Sequence, residues 1–149
     1  MTPSRRGETA ARSEGLLLYT DGASRGNPGD SAICFRVLSP AGEVLEETAA
    51  RIGRATNNQA EYRALIAGLE SARNFTSGPL RCRSDSELLV KQMRHEYRVK
   101  DPELRLLWER AQALAGQFAG VEYRHVRRSD PDIARADQLA NRALDEHTG

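Results

Sequence analysis

Four acidic residues, Asp21, Glu61, Asp85 and Asp137, stand where the hydrophobic pattern of the chain starts or stops. The ends of elements are where a fold can gather side chains from distant parts of a sequence. Gathered carboxylates repel one another, so they hold either extra protons or a compensating cation. Their oxygens suit magnesium, which keeps several waters and is commonly bound by one or two carboxylates plus substrate phosphate. Manganese takes the same ligands. Two such ions about 4 Å apart activate a water and stabilise the leaving oxygen of an in-line phosphodiester displacement. No rival set is as complete. His95, His125 and His147 show no zinc-type pairing, and no serine lies in a nucleophile elbow. Gly22, Gly26 and Gly29 do not make a dinucleotide fingerprint, and there is no phosphate-cradling Lys-Ser/Thr pair.

The elements that must position these acids are legible from periodicity and punctuation. Residues 16–20 predict a buried strand ended by Asp21 and a glycine-rich turn. Residues 31–38 predict a second strand with Ile33, Phe35 and Val37 on one face, and Pro40-Ala41-Gly42 turns the chain into a third that runs through Val44 toward Ile52. Such short turns imply an antiparallel meander. Thr56 with Gln59 forms a capping box that opens a helix to about Asn74, with Ala64, Leu65, Gly68 and Ala72 on its inner stripe and Glu61 on the same stripe. Residues 80–84 predict a fourth strand ending at Asp85. Helices over 86–96 and 102–117, a fifth strand over 121–126 and a final helix marked by Ala136, Leu139, Ala140 and Ala143 complete the chain.

If the first strand runs upward, the meander sends the third up as well, and the helix after it starts at the top. A right-handed crossover then returns the chain to a parallel fourth strand. Asp21, Glu61 and Asp85 converge at one sheet edge. Counting alone leaves the direction of the fifth strand open, and with it whether Asp137 joins them.

Bulk properties narrow the class. A chain of 149 residues suits one domain over residues 15–149. Lys and Arg number 22 against 21 Asp and Glu, a net charge of +1 that excludes the uniformly basic surface of a non-specific nucleic-acid coater. No apolar run approaches the roughly 18 residues that span a bilayer, so membrane integration is not expected. Residues 1–14 are polar, read as a disordered tail, and lack the apolar segment of a secretory signal. Cys34 and Cys82 fall in predicted strands without paired spacing, which suggests buried thiols and a cytoplasmic location. Asp130, Asp132 and Asp145 read as surface charge, and His125 and Trp108 as packing residues.

Four stretches in order carry a family likeness: residues 21–29 (DGASRGNPG), 56–61 (TNNQAE), 84–86 (SDS) and 136–141 (ADQLAN). Over residues 16–144 the chain resembles type 1 ribonuclease H. The resemblance implies an α/β ribonuclease H-like fold: a five-stranded mixed sheet flanked by helices, strands 1–3 antiparallel, strands 4 and 5 parallel to strand 1. It implies hydrolysis of the RNA strand of RNA–DNA hybrids to 5′-phosphate and 3′-hydroxyl products; separately from the resemblance, a monomer is expected. Two Mg2+ ions, replaceable by Mn2+, would be held by Asp21, Glu61, Asp85 and Asp137. Gly22, Asn27, Thr56, Asn57 and Asn58 would touch the hybrid, where amide and backbone groups can read a 2′-hydroxyl.

Two departures stand out. The family usually carries a histidine in the loop before the last acid, and the corresponding position here is Arg127. Arg127 or Arg128 is expected to replace it, guiding phosphate or helping product leave. The basic helical handle is also missing, since the stretch from Arg94 to Pro102 is short and carries Glu96 and Asp101 among its bases. Weaker hybrid binding with a steep salt dependence is the expectation. Two alternatives stay open: a noncatalytic hybrid-binding module on the same fold, and a nuclease that also cleaves double-stranded RNA.

Overall fold

The computed structural model describes residues 15–148. The expected disorder of residues 1–14 falls outside them. Strands β1 (Leu16–Gly26), β2 (Gly29–Leu38) and β3 (Val44–Ala55) form the antiparallel meander. β1 is longer than expected: it continues past Asp21 to Gly26, because its ladder with β2 runs unbroken from Leu17↔Leu38 through Asp21↔Cys34 to Gly26↔Gly29. What changes near Asp21 is the other neighbour. Parallel pairing with β4 (Pro79–Ser84) stops at Tyr19↔Arg83, so Asp21 lies just beyond the point where β1 loses one of its two partners. The hairpin closes through Gly26, whose φ of 101° a side chain would strain, and a cis Asn27–Pro28 bond.

The sheet order is β3-β2-β1-β4-β5, with β5 (Gly120–His125) parallel to β4. The mixed five-stranded architecture is therefore present, and the direction of the fifth strand is settled as upward. Both faces are covered, which is why β2 is buried through Ser31–Leu38 rather than alternating with solvent. Phe35 and Val37 join Leu18, Tyr62, Leu65 and Leu69 in the larger core beneath α1 (Asn57–Ala72). Ala32 and Cys34 face the other way and meet Ala136, Ala140 and Leu144 of α4 (Pro131–Thr148). Small residues on that side let helix and sheet approach closely. Each large apolar side chain so buried stabilises the fold by roughly 1.5–3 kcal/mol.

Helix α1 starts as its capping box dictates: the Thr56 hydroxyl accepts from Gln59 N–H at 3.1 Å, and the Gln59 side chain accepts from Thr56 N–H at 2.9 Å. Its inner stripe of Ala64, Leu65, Gly68 and Ala72 is buried. Helix α2 (Glu87–Met93) is shorter than expected, since Ser86 serves as its cap and the chain turns at His95 with a φ of 63°. Helix α3 (Pro102–Ala115) is capped by Asp101, with Pro102 in its first turn. Helix α4 begins earlier than its apolar stripe suggests. Asp130 Oδ1 accepts from the N–H groups of Asp132 and Ile133 at 2.9 and 3.2 Å, so Asp137 sits in the second turn and not at a helix start. Both cysteines are buried thiols. No described helix is long and apolar enough to cross a membrane.

Candidate metal centre

Three elements bring three acids together. Asp21 comes from β1, Glu61 from the second turn of α1 and Asp85 from the residue after β4, and one oxygen from each lies within 4.8 Å of the others. Their approach depends on Gly22. A Cβ on this residue would stand 2.5 Å from the Ala60 carbonyl carbon and 2.6 Å from the Glu61 nitrogen, so only glycine lets β1 touch the backbone of α1. The Gly22 N–H then donates to Glu61 Oε1 at 2.6 Å and fixes that carboxylate beside Asp21.

Asp137 is not among the carboxylates that meet within 4.8 Å. It adjoins Asp21 all the same, acting on that carboxyl both through its charge and through a side-chain hydrogen bond, and Asn141, one helical turn on, donates to the Asp137 side chain at 3.2 Å and to its carbonyl at 2.9 Å.

Burial makes the cluster costly when ionised. Asp21 is 1% exposed, and its Oδ2 is buried with no hydrogen-bond partner. Desolvation, then the negative charges of Glu61, Asp85 and Asp137, push its pKa up to about 9. Glu61 is pushed up to about 8, by desolvation first and Asp85 second, against the lowering effect of the Gly22 N–H. A polar atom orphaned in a nest of carboxylates is what a site built for a cation would contain.

The remaining expected residues divide. Asn27 Oδ1 accepts from Asn57 N–H at 3.0 Å, which ties the β1–β2 turn to the start of α1, and both residues are exposed. Asn58 is exposed beside them, while the Thr56 hydroxyl is engaged in capping. The two loop arginines differ. Arg128 Nε meets Asp85 Oδ2 at 3.1 Å, whereas Arg127 is exposed and its carbonyl accepts from Asp130 N–H. Arg128 thus lies against the acid cluster, and Arg127 lies in the loop turn.

Several contacts escaped the sequence reading. His125 is exposed, with Nε2 3.2 Å from the Asp85 carbonyl oxygen, so it packs against the loop rather than in the core. Asp132 is no idle surface acid: it pairs with the buried Arg36 at 2.5 Å. Asp130-Pro131, a capping residue followed by proline, was a readable signal for an earlier start to α4. The i, i+4 spacing of Asp137 and Asn141 was another. Trp108 does pack on the core, donating to the Gln92 carbonyl at 3.1 Å.

Comparison with known proteins places this geometry. Residues 19–143 match the family described as Reverse transcriptase-like. A ribonuclease HI of Halobacterium salinarum is 46% identical over 128 residues, which cover 86% of this chain and 63% of that protein. The bifunctional protein Rv2228c of Mycobacterium tuberculosis is 44% identical over 131 residues, 87% of this chain and 35% of its own length. The chain therefore spans less than two thirds of these relatives. The crystal structure of the Halobacterium salinarum RNase H1 superposes with a TM-score of 0.83 at 45% identity, covering 88% of this chain and 98% of that one. LC11-RNase H1, solved in complex with an RNA/DNA hybrid, gives 0.84 at 36% identity, covering 90% and 99%.

Proposed function

This chain belongs to the ribonuclease H family, and from that premise we propose that it is an endonuclease hydrolysing the RNA strand of RNA–DNA hybrids to 5′-phosphate and 3′-hydroxyl ends. The observation that carries the proposal is the meeting of Asp21, Glu61 and Asp85 within 4.8 Å around a buried, unpartnered Asp21 oxygen. A surface that merely binds hybrid gains nothing from such repulsion. An all-carboxylate donor set fits a hard divalent ion. Asp21, Glu61, Asp85 and Asp137 would hold two Mg2+ ions, or Mn2+ in their place, which when bound supply an activated water and charge stabilisation at the leaving oxygen.

The chain's own residues set the conditions for that chemistry. The Gly22 N–H locks Glu61 in one orientation, and Asn141 does the same for Asp137. Burial of Asp21 raises the strength of every electrostatic contact made there. Asn27 in the β1–β2 turn and Asn57 and Asn58 at the start of α1 present amide groups side by side, where donor and acceptor together can recognise a 2′-hydroxyl. Thr56 contributes by fixing the helix start.

The test is a labelled hybrid, duplex RNA and duplex DNA, each with magnesium, manganese or chelator, with the native chain and Asp21→Asn. Hybrid cleavage should require metal. The substitution should slow it by about a hundredfold or more, as expected for losing several kcal/mol of charge stabilisation. Cutting that persists in chelator, or in the variant, overturns the proposal. Hybrid binding without cleavage under any metal would assign a noncatalytic role, and equal cutting of duplex RNA would widen the substrate class.

A further inference from the structure

The three clustered acids are not treated alike by the rest of the chain. Asp21 and Glu61 have no cationic side chain bonded to them among the described residues, whereas Asp85 has Arg128, with Nε 3.1 Å from Oδ2. The exposures of the two partners are opposite: the Asp85 side chain is 7% exposed and that of Arg128 is 74% exposed. The acid is thus held by the fold, and the guanidinium reaches it from solvent on a long, loosely packed stem. Such a pair contributes little to stability, and its cationic half can leave without disturbing the core. Arg127, one residue away and of the same charge, makes no such contact.

We propose that Arg128 is a built-in counter-ion that competes with the divalent metal for Asp85, so that loading the centre requires its guanidinium to withdraw. The proposal rests on the reading of Asp21, Glu61 and Asp85 as metal ligands. Competition follows from the geometry, since Arg128 engages a lone pair of Asp85 Oδ2 and sets a positive charge beside the carboxylate that opposes the approach of a second cation. The withdrawn guanidinium, still tethered at the rim, then offers fork-shaped donors to a phosphate. The two adjacent arginines would have separate effects on metal affinity.

The experiment is isothermal titration of Mn2+, and in parallel Mg2+, into chelator-stripped protein without nucleic acid. It compares the native chain with Arg128→Ala, Arg127→Ala and Asp21→Asn. Arg128→Ala should bind metal about two- to fivefold more tightly, the range an exposed ion pair of this kind can oppose. Arg127→Ala, which removes the same charge, should stay at the native affinity. Binding by Arg128→Ala that is unchanged or weaker, while Asp21→Asn abolishes it, overturns the competition and leaves the metal centre standing. Equal tightening by both arginine variants also overturns it, since net charge alone would then be the cause. Native-like binding by Asp21→Asn removes the metal-centre reading and the proposal with it.

Discussion

The residue on which the centre turns is not itself an acid. Gly22 has no side chain, and that absence lets β1 approach α1 until the Gly22 N–H reaches Glu61 at 2.6 Å. In Gly22→Ala the new methyl would lie 2.5–2.6 Å from the backbone at Ala60 and Glu61, which no side-chain rotation relieves. Strand and helix must separate, at a cost of about 1–3 kcal/mol for an overpacked contact. We expect urea denaturation to show that loss and calorimetry to show weaker metal binding. A variant with native metal affinity would mean that Glu61 does not depend on Gly22 for its position. Asp21, the next residue, could be singled out from its sequence setting, but its burial and the raised proton affinity that follows could not.

At the scale of elements, α4 carries Asp137, and Arg36 ties that helix to the sheet. This buried guanidinium on β2 pairs with Asp132 of α4 at 2.5 Å and with Glu47 of β3 at 2.7 Å, while Arg135 of α4 approaches Glu47 at 3.7 Å. Arg36→Ala leaves both acids without their shared cation. Because those acids are partly solvated, the expected loss is about 2 kcal/mol, less than for a fully buried pair. Chemical denaturation measures it, and an unchanged midpoint would show the clamp to be dispensable. Element types were legible because periodicity and capping are local. Boundaries were less so: β1 is held to Gly26 by its partner β2, a non-local cause, and α4 starts at Pro131 although its apolar stripe begins later.

At the scale of the molecule, stability, protons and metal are linked. Asp21 and Glu61 bind protons more tightly when folded, with pKa values pushed up to about 9 and about 8. Their contribution to stability is therefore present in full below the ordinary carboxylate range near pH 4 and is lost as pH rises through 8 to 9. In chelator the melting temperature should fall from pH 5 to pH 9, and magnesium should restore it most at the alkaline end, where the cation replaces the missing protons. A melting temperature that climbs with pH in chelator would contradict this. Hybrid affinity should respond to salt with a shallow slope. Each phosphate contact adds about 0.9 to the magnitude of that slope, so a chain without the basic handle releases fewer counterions and its affinity falls less steeply with salt; this corrects the steep dependence expected from sequence, on the ground of counterion release alone. A slope as steep as that of a relative with the handle would show phosphate contacts elsewhere. By itself the sequence determined the strands and helices and the family, and it singled out the four acids as candidate ligands, since each rests on local pattern or ordered motifs. Residue spacing left the direction of β5 open and the family likeness supplied it, whereas only the tertiary structure decided that three acids meet within 4.8 Å with Asp137 beside Asp21, and that Arg128 and not Arg127 reaches Asp85. Those outcomes depend on how distant elements pack against one another, which spacing along the chain does not encode.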